Sequence, residues 1–193
     1  MEKTTASKKN RKLSTTDIVY VAMAVALISI CSWIQIPASV PFTLQTFAVF
    51  LTICLLGGSR SCLTVIVYIA LAAVGAPVLA SFRGGIAALL GPTGGYVSGF
   101  LFIALINWLL EPLSKKALWI RALSLLIGLA VCYAFGTMWF MHIYTTGEGN
   151  HIGLPKALAL CVTPFILPDL IKMVLAITIG NNKGIRKVIK PAG

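Results

Sequence analysis

Long apolar runs, each closed by glycine, proline or a cluster of charge, divide the chain between Ile18 and Ile179 into six segments. The first runs from Ile18 to Ile36 and ends at Pro37-Ala-Ser-Val-Pro41, because two prolines in five residues cannot continue a helix. The second opens at Phe42-Thr43-Leu-Gln45 and reaches Leu56, Gly57-Gly-Ser-Arg60 makes a tight turn, and Ser61 to Val74 returns. These two are short. At 1.5 Å per residue a run of about 14 residues covers only ~21 Å, so its ends must extend into the loops or the bilayer must thin. From Gly75 to Tyr96 glycine and proline break the pattern repeatedly, leaving a stretch too apolar for a solvated loop and too broken for a span. Such backbone is tolerated at membrane depth only where it lines a cavity, which predicts a re-entrant or cap-like segment between helices 3 and 4. Gly95 to Leu110 forms a fourth span closed by Glu111-Pro112, and Ala117 to Phe140 a fifth. A polar loop from Met141 to Leu154 and a sixth span from Leu158 to Ile179 follow, with Pro164 and Pro168 expected to kink the last helix.

Composition agrees with this pattern. The 193 residues are 58% hydrophobic and only 11% charged, a balance that fits an all-α integral membrane protein of six transmembrane helices. Residues 17–180 form one transmembrane domain, and the basic stretches 1–16 and 181–193 are its tails. The net charge of +11 does not point to nucleic acid, since the basic residues flank apolar runs. With six spans, both tails, Arg60, Lys115, Lys116 and Arg121 fall on one side and only Arg83 and Lys156 on the other. Positive charge marks the cytoplasmic side, so both termini are expected there, in the cytoplasmic (cell) membrane. The first run is longer than a signal-peptide core and is read as an uncleaved helix. Five cysteines stand singly, without CxxC or a histidine at ligand spacing, and indicate neither disulfides nor a metal. His142 and His151 read as loop residues for the same reason.

The chemistry concentrates in Pro164-Phe-Ile-Leu-Pro168-Asp169-Leu-Ile-Lys172, where an acid and a base stand inside an apolar span. A charge at the bilayer centre costs at least ~2.5–3.5 kcal/mol on insertion scales, so the pair calls for a use. Three residues apart on one helix face, the two side chains present an anionic acceptor beside a cationic donor. That combination suits a guest with adjacent N–H and C=O groups, such as a cyclic urea or an amide. The alternative is a self-satisfied pair that only fixes packing. Gln45 offers either a donor to the same guest or an interhelical hydrogen bond. Arg83 and the short helices beside it are natural seats for a carboxylate. The glycine turns at Gly84-Gly85 and Gly91 to Gly95 suggest a segment that opens and closes. Ala22 and Ala26, four apart on the first helix, allow close approach of another helix.

Val40-Pro-Phe-Thr-Leu-Gln-Thr46, Gly84-Gly85, Leu90-Gly-Pro-Thr-Gly-Gly-Tyr-Val-Ser-Gly-Phe100 and Pro168-Asp-Leu-Ile-Lys172 together closely resemble the BioY family, the biotin-binding S components of energy-coupling factor (ECF) vitamin transporters. The resemblance covers Ile18 to Gly180. It implies capture of biotin from outside, with Asp169 and Lys172 on the ureido ring and Arg83 and Gly84 near the carboxylate. Phe42, Thr43, Gln45 and Tyr96, which lie in the matching motifs, complete the expected binding set. It also implies a transmembrane T component and a pair of ATP-hydrolysing subunits as partners, met through Ala22 and Ala26, with membrane lipid around the bundle. No cofactor and no metal are expected, and with no Walker motif the chain cannot hydrolyse ATP alone. Two other classes stand beside this one: a stand-alone proton-coupled transporter, and an intramembrane enzyme using Asp169 and Lys172 as acid and base. The enzyme lacks the second carboxylate, the Ser/Lys or Ser/His set, or the histidine cluster that such chemistry uses.

Overall fold

The computed structural model describes residues 14–37, 41–114, 117–148 and 152–189. Its main elements are the helices α1 (Thr15–Trp33), α2 (Gln45–Leu56), α3 (Gly58–Ala73), α5 (Gly94–Leu109), α7 (Leu118–Glu148), α8 (Leu154–Cys161) and α9 (Thr163–Gly180). Short helices α4 (Ile86–Leu89), α6 (Glu111–Ser114) and α10 (Lys183–Val188) fill the connections. Three stretches, Thr15–Trp33, Leu118–Thr145 and Leu154–Gly180, are long and apolar enough to cross a membrane, while α2, α3 and α5 are apolar but shorter. The protein is an α-helical membrane protein. Its exterior carries large apolar side chains such as Met23, Leu109, Trp119 and Leu167, and its core is built from Ile28, Phe50, Val65, Ile103 and Leu125.

Glycines let the helices approach closely. A Cβ on Gly95 or Gly99 of α5 would fall on Trp139 or Cys132 of α7, and one on Gly136 of α7 would fall on the Tyr96 ring of α5. These small residues face each other across the α5–α7 contact, the most extensive in the bundle. Asn107 and Ser124 lock the same pair by hydrogen bonds, Ser124 Oγ donating to Asn107 Oδ1 at 2.7 Å. Gly94 is equally confined, since a Cβ there would meet the Leu89 carbonyl. The flexible-turn expectation for Gly91 to Gly95 is therefore corrected: Gly94 and Gly95 serve close packing.

Several boundaries differ from expectation. The first helix stops at Trp33, and Gln35–Ile36 (β1) pairs antiparallel with Phe42–Thr43 (β2) in a two-stranded ribbon around the proline turn. Proline explains the stop, because the residue before a proline, here Ile36 before Pro37, is pushed out of the α region. The α2–α3 turn narrows to Gly57, whose φ of 82° suits glycine, and α3 begins at Gly58 with its first N–H donated to Glu111 Oε2 at 3.3 Å. The fifth helix runs to Glu148, past the expected end at Phe140, since Phe140 and Tyr144 stack at 5.6 Å and a separate apolar cluster joins Phe140 to Ile152, Ala157 and Cys161. The last span breaks at Val162 (φ −124°, ψ −55°) and not at Pro168. Pro164 sits in the first turn of α9, where a missing N–H costs nothing, and α9 continues through Pro168. The tail expected after Asn181 contains α10. The N-terminal tail up to residue 13, with its basic residues, and Lys115, Lys116, Asn150 and His151 lie outside the described residues.

The broken segment after α3 is tied down at several points. Trp33 Nε1 donates to the Pro77 carbonyl at 2.9 Å and its ring stacks on Phe82 at 4.9 Å. Ser32 Oγ and the Tyr68 hydroxyl both donate to the Val78 carbonyl, at 2.6 and 2.9 Å, and Gly85 N–H donates to the Ala72 carbonyl at 2.6 Å. The segment therefore rides on the ends of α1 and α3, carrying Leu79, Ala80 and Arg83 to a cavity between the helices.

Candidate binding site

Asp169 and Lys172 are one turn apart in the middle of α9, 2% and 6% exposed. Lys172 Nζ lies 2.8 Å from Asp169 Oδ1. Neither is left to the other alone. Thr46, in the first turn of α2, donates to Asp169 Oδ1 at 2.8 Å, and Tyr133 of α7 donates to Oδ2 at 2.6 Å. Lys172 donates in addition to the Thr43 carbonyl at 2.7 Å and to Thr46 Oγ1 at 3.1 Å, and its ammonium sits 4.2 Å from the Phe42 ring centroid. Three helices and the β2 strand thus converge on one charge-balanced cluster. Charge-assisted bonds of this length are the strong kind, and each is stronger away from water.

This cluster lies in the wall of a cavity with an empty volume of about 790 Å³, its open part included. Val97, Phe100, Leu129 and Phe165 supply apolar surface, while Gln45, Thr46, Tyr133, Asp169 and Lys172 supply a polar end. Arg83 is the exposed member of the lining. A largely apolar cavity with a few convergent polar groups is the usual form of a small-molecule site.

The expected residues fall around this cavity with two exceptions. Asp169, Lys172, Thr43, Gln45, Tyr96 and Arg83 line it. Phe42 stands behind Lys172 and stacks on Phe165 at 5.9 Å, outside the lining itself. Gly84 is apart from it, pressed so close to the Ala76 carbonyl that no Cβ fits. Gln45 makes the interhelical bond that was one of its two expectations, donating from Nε2 to the Tyr68 hydroxyl at 2.8 Å. Tyr96 pairs its hydroxyl with Thr137 at 3.0 Å. Ala22 and Ala26 are both exposed on α1, in a face shared with Ile18, Met23 and Ile30.

The BioY family model matches residues 4–190. The chain belongs to the BioY family. Among its relatives, the biotin transporter BioY of Thermotoga maritima is 41% identical over 152 residues, covering 78% of this chain and 85% of that one. The probable biotin transporter BioY of Pyrococcus horikoshii is 38% identical over 166 residues, covering 86% and 94%. A crystal structure of the S-component for biotin from an ECF-type ABC transporter superposes with a TM-score of 0.75 over 92% of both chains, at 28% identity.

Two members of the BioY polar end escaped sequence reasoning. Thr46 sits inside the Val40–Thr46 motif but drew no attention, because a threonine at a helix start reads as a local cap. Tyr133 lies in a run of apolar residues, where tyrosine ordinarily packs its ring and finds any partner for its hydroxyl. The signal that could have found it is that need for a partner: the charges at Asp169 and Lys172 were the obvious ones. Among the described residues no cluster of histidine, cysteine, aspartate and glutamate could hold a metal ion.

Proposed function

We propose that this BioY protein captures biotin and serves as the S component of an ECF-type transporter in the cytoplasmic membrane. What supports this above all is the Asp169–Lys172–Thr46–Tyr133 cluster at the end of an apolar cavity, in a fold shared with a biotin S-component. Asp169 takes one ureido N–H. Lys172 donates a hydrogen bond to the ureido carbonyl by exchanging its bond to Thr46, at 3.1 Å the longest of its three. The bicyclic ring and the chain lie against Phe100, Val97 and Phe165, and the carboxylate reaches Arg83. The chain is a transport protein and not an enzyme.

In this reading α1, α2, α3, α5, α7 and the α8–α9 pair are six spans, with both termini cytoplasmic and the cavity opening outward. The positive-inside pattern supports that orientation. The shorter helices α2, α3 and α5 complete a span with their flanking loops. The exposed Ala22/Ala26 face is where the T component packs, and the ATP-hydrolysing subunits supply the energy that this chain has no motif to harvest.

Purification in detergent followed by mass spectrometry of bound small molecules is the first test. Biotin recovered unmodified supports the proposal, whereas a converted product would overturn it. Uptake in cells with and without the T component and ATPases then separates an S component from a proton-coupled transporter working alone: equal uptake without the partners contradicts the ECF assignment.

A further inference from the structure

The cavity contains one buried amide whose polarity is set by the groups behind it. Gln45 is 5% exposed and lines the cavity beside Thr43 and Thr46. The Tyr68 hydroxyl lies 2.9 Å from the Val78 carbonyl, which can only accept, so the tyrosine proton points there. Tyr68 must then accept from Gln45, which fixes Nε2 toward Tyr68 at 2.8 Å. Val78 is further held by Ser32 at 2.6 Å. The chain of bonds leaves Gln45 Oε1 as the other end of the amide, and among the described residues it takes no hydrogen bond.

A cyclic urea needs such an acceptor. Its two N–H bonds diverge on either side of the carbonyl, so a carboxylate beside a lysine meets one N–H and the C=O and leaves the far N–H without a partner. An N–H buried unpaired costs about 1–3 kcal/mol. Lys172 is already bonded to the Thr43 carbonyl and to Thr46, both within two residues of Gln45 in sequence.

We propose that Gln45 accepts the second ureido N–H through Oε1, and that Tyr68 is a positioning residue that holds the amide in this sense. Gln45 is then an acceptor toward ligand, opposite to the donor role that its position first suggested. The inference rests on the biotin reading above. It also carries a specificity: the site demands an N–H on both sides of the carbonyl and disfavours rings in which either nitrogen is substituted or replaced.

The test uses the full chain in detergent, biotin, and two analogues methylated on one or the other ureido nitrogen, with Kd measured for each. The parent is expected to bind both analogues more weakly than biotin. Gln45→Met should weaken biotin by about five- to a hundredfold and remove the discrimination against one analogue while keeping it against the other. Tyr68→Phe, which keeps the ring in place, should reduce that same discrimination with a smaller loss of biotin affinity. A purely structural role for Gln45 moves all three ligands alike, and unchanged ratios in both variants overturn the proposal. Asp169→Asn is the control for the underlying reading. If it weakens biotin while Gln45→Met leaves the ratios at parental values, only the Gln45 assignment fails; if neither variant alters biotin binding, the site lies elsewhere.

Discussion

Two ion pairs of the same length do different work in this bundle. Asp17–Arg60 and Asp169–Lys172 both close at 2.8 Å. The first joins the opening turns of α1 and α3, and Asp17 Oδ2 also accepts the Ser14 N–H at 3.1 Å, so its charge answers a helix N-terminus as well as an arginine. Neither residue lines the cavity described above. The second stands in the middle of α9 and against the first turn of α2, and its carboxylate is held by Thr46 and Tyr133 from two other helices at the wall of an apolar cavity. Pair geometry alone would not separate them. The surroundings do: the first pair ties two helix starts together away from the cavity, whereas the second stands in the cavity wall, where its charges meet whatever the cavity holds.

The largest expected effect comes from breaking the mid-helix pair. Asp169→Asn or Lys172→Met should cost about tenfold to a few hundredfold in biotin affinity, from the loss of charge-assisted bonds worth ~1.5–3 kcal/mol each. Equilibrium binding to the purified variants measures it, and parental affinity in either variant would erase the distinction between the two pairs. Next is the α1 face one turn beyond Asp17. Ala22→Trp or Ala26→Trp should abolish most co-purification with the T component while biotin affinity stays within about twofold of the parent, because the added bulk falls on an exposed face away from the cavity. Asp17→Asn removes an ion pair and weakens a cap, and should lower unfolding stability by about 1–2 kcal/mol, leaving biotin binding unchanged. A thermal shift with no binding change sharpens the comparison, and a binding loss as large as that of Asp169→Asn would break it. The smallest effect belongs to Tyr133→Phe. It removes one of three donors on Asp169 but keeps the ring, and a loss of about three- to tenfold in biotin affinity is expected.

Much of the fold was legible because apolar runs and their glycine and proline boundaries are what a bilayer selects. Asp169 and Lys172 were legible for the same reason, as charges stand out in an apolar span. What escaped depended on tertiary contact. The Gln35–Ile36 and Phe42–Thr43 ribbon is too short for any alternating pattern. The last turns of α7 look like loop because of Thr145 and Gly147, yet stacking of Phe140 on Tyr144 and the cluster with α8 continue the helix. Gly95 and Gly136 read as turn-forming or neutral residues until the facing helix shows what fills the space beside them. Tyr133 and Thr46 are ordinary in their own segments and become part of a site only through the carboxylate they share.

The central claim is that Asp169 and Lys172 bind the ligand and are not scaffolding, and a double-mutant cycle tests it most directly. Asp169→Asn, Lys172→Met and the double variant are compared with the parent for biotin affinity and for thermal unfolding. The stability of the double should recover relative to the singles, because neither leaves a stranded charge. Its biotin affinity should remain at or below that of the weaker single variant. A double variant that regains near-parental biotin affinity would contradict the account and place the binding site elsewhere.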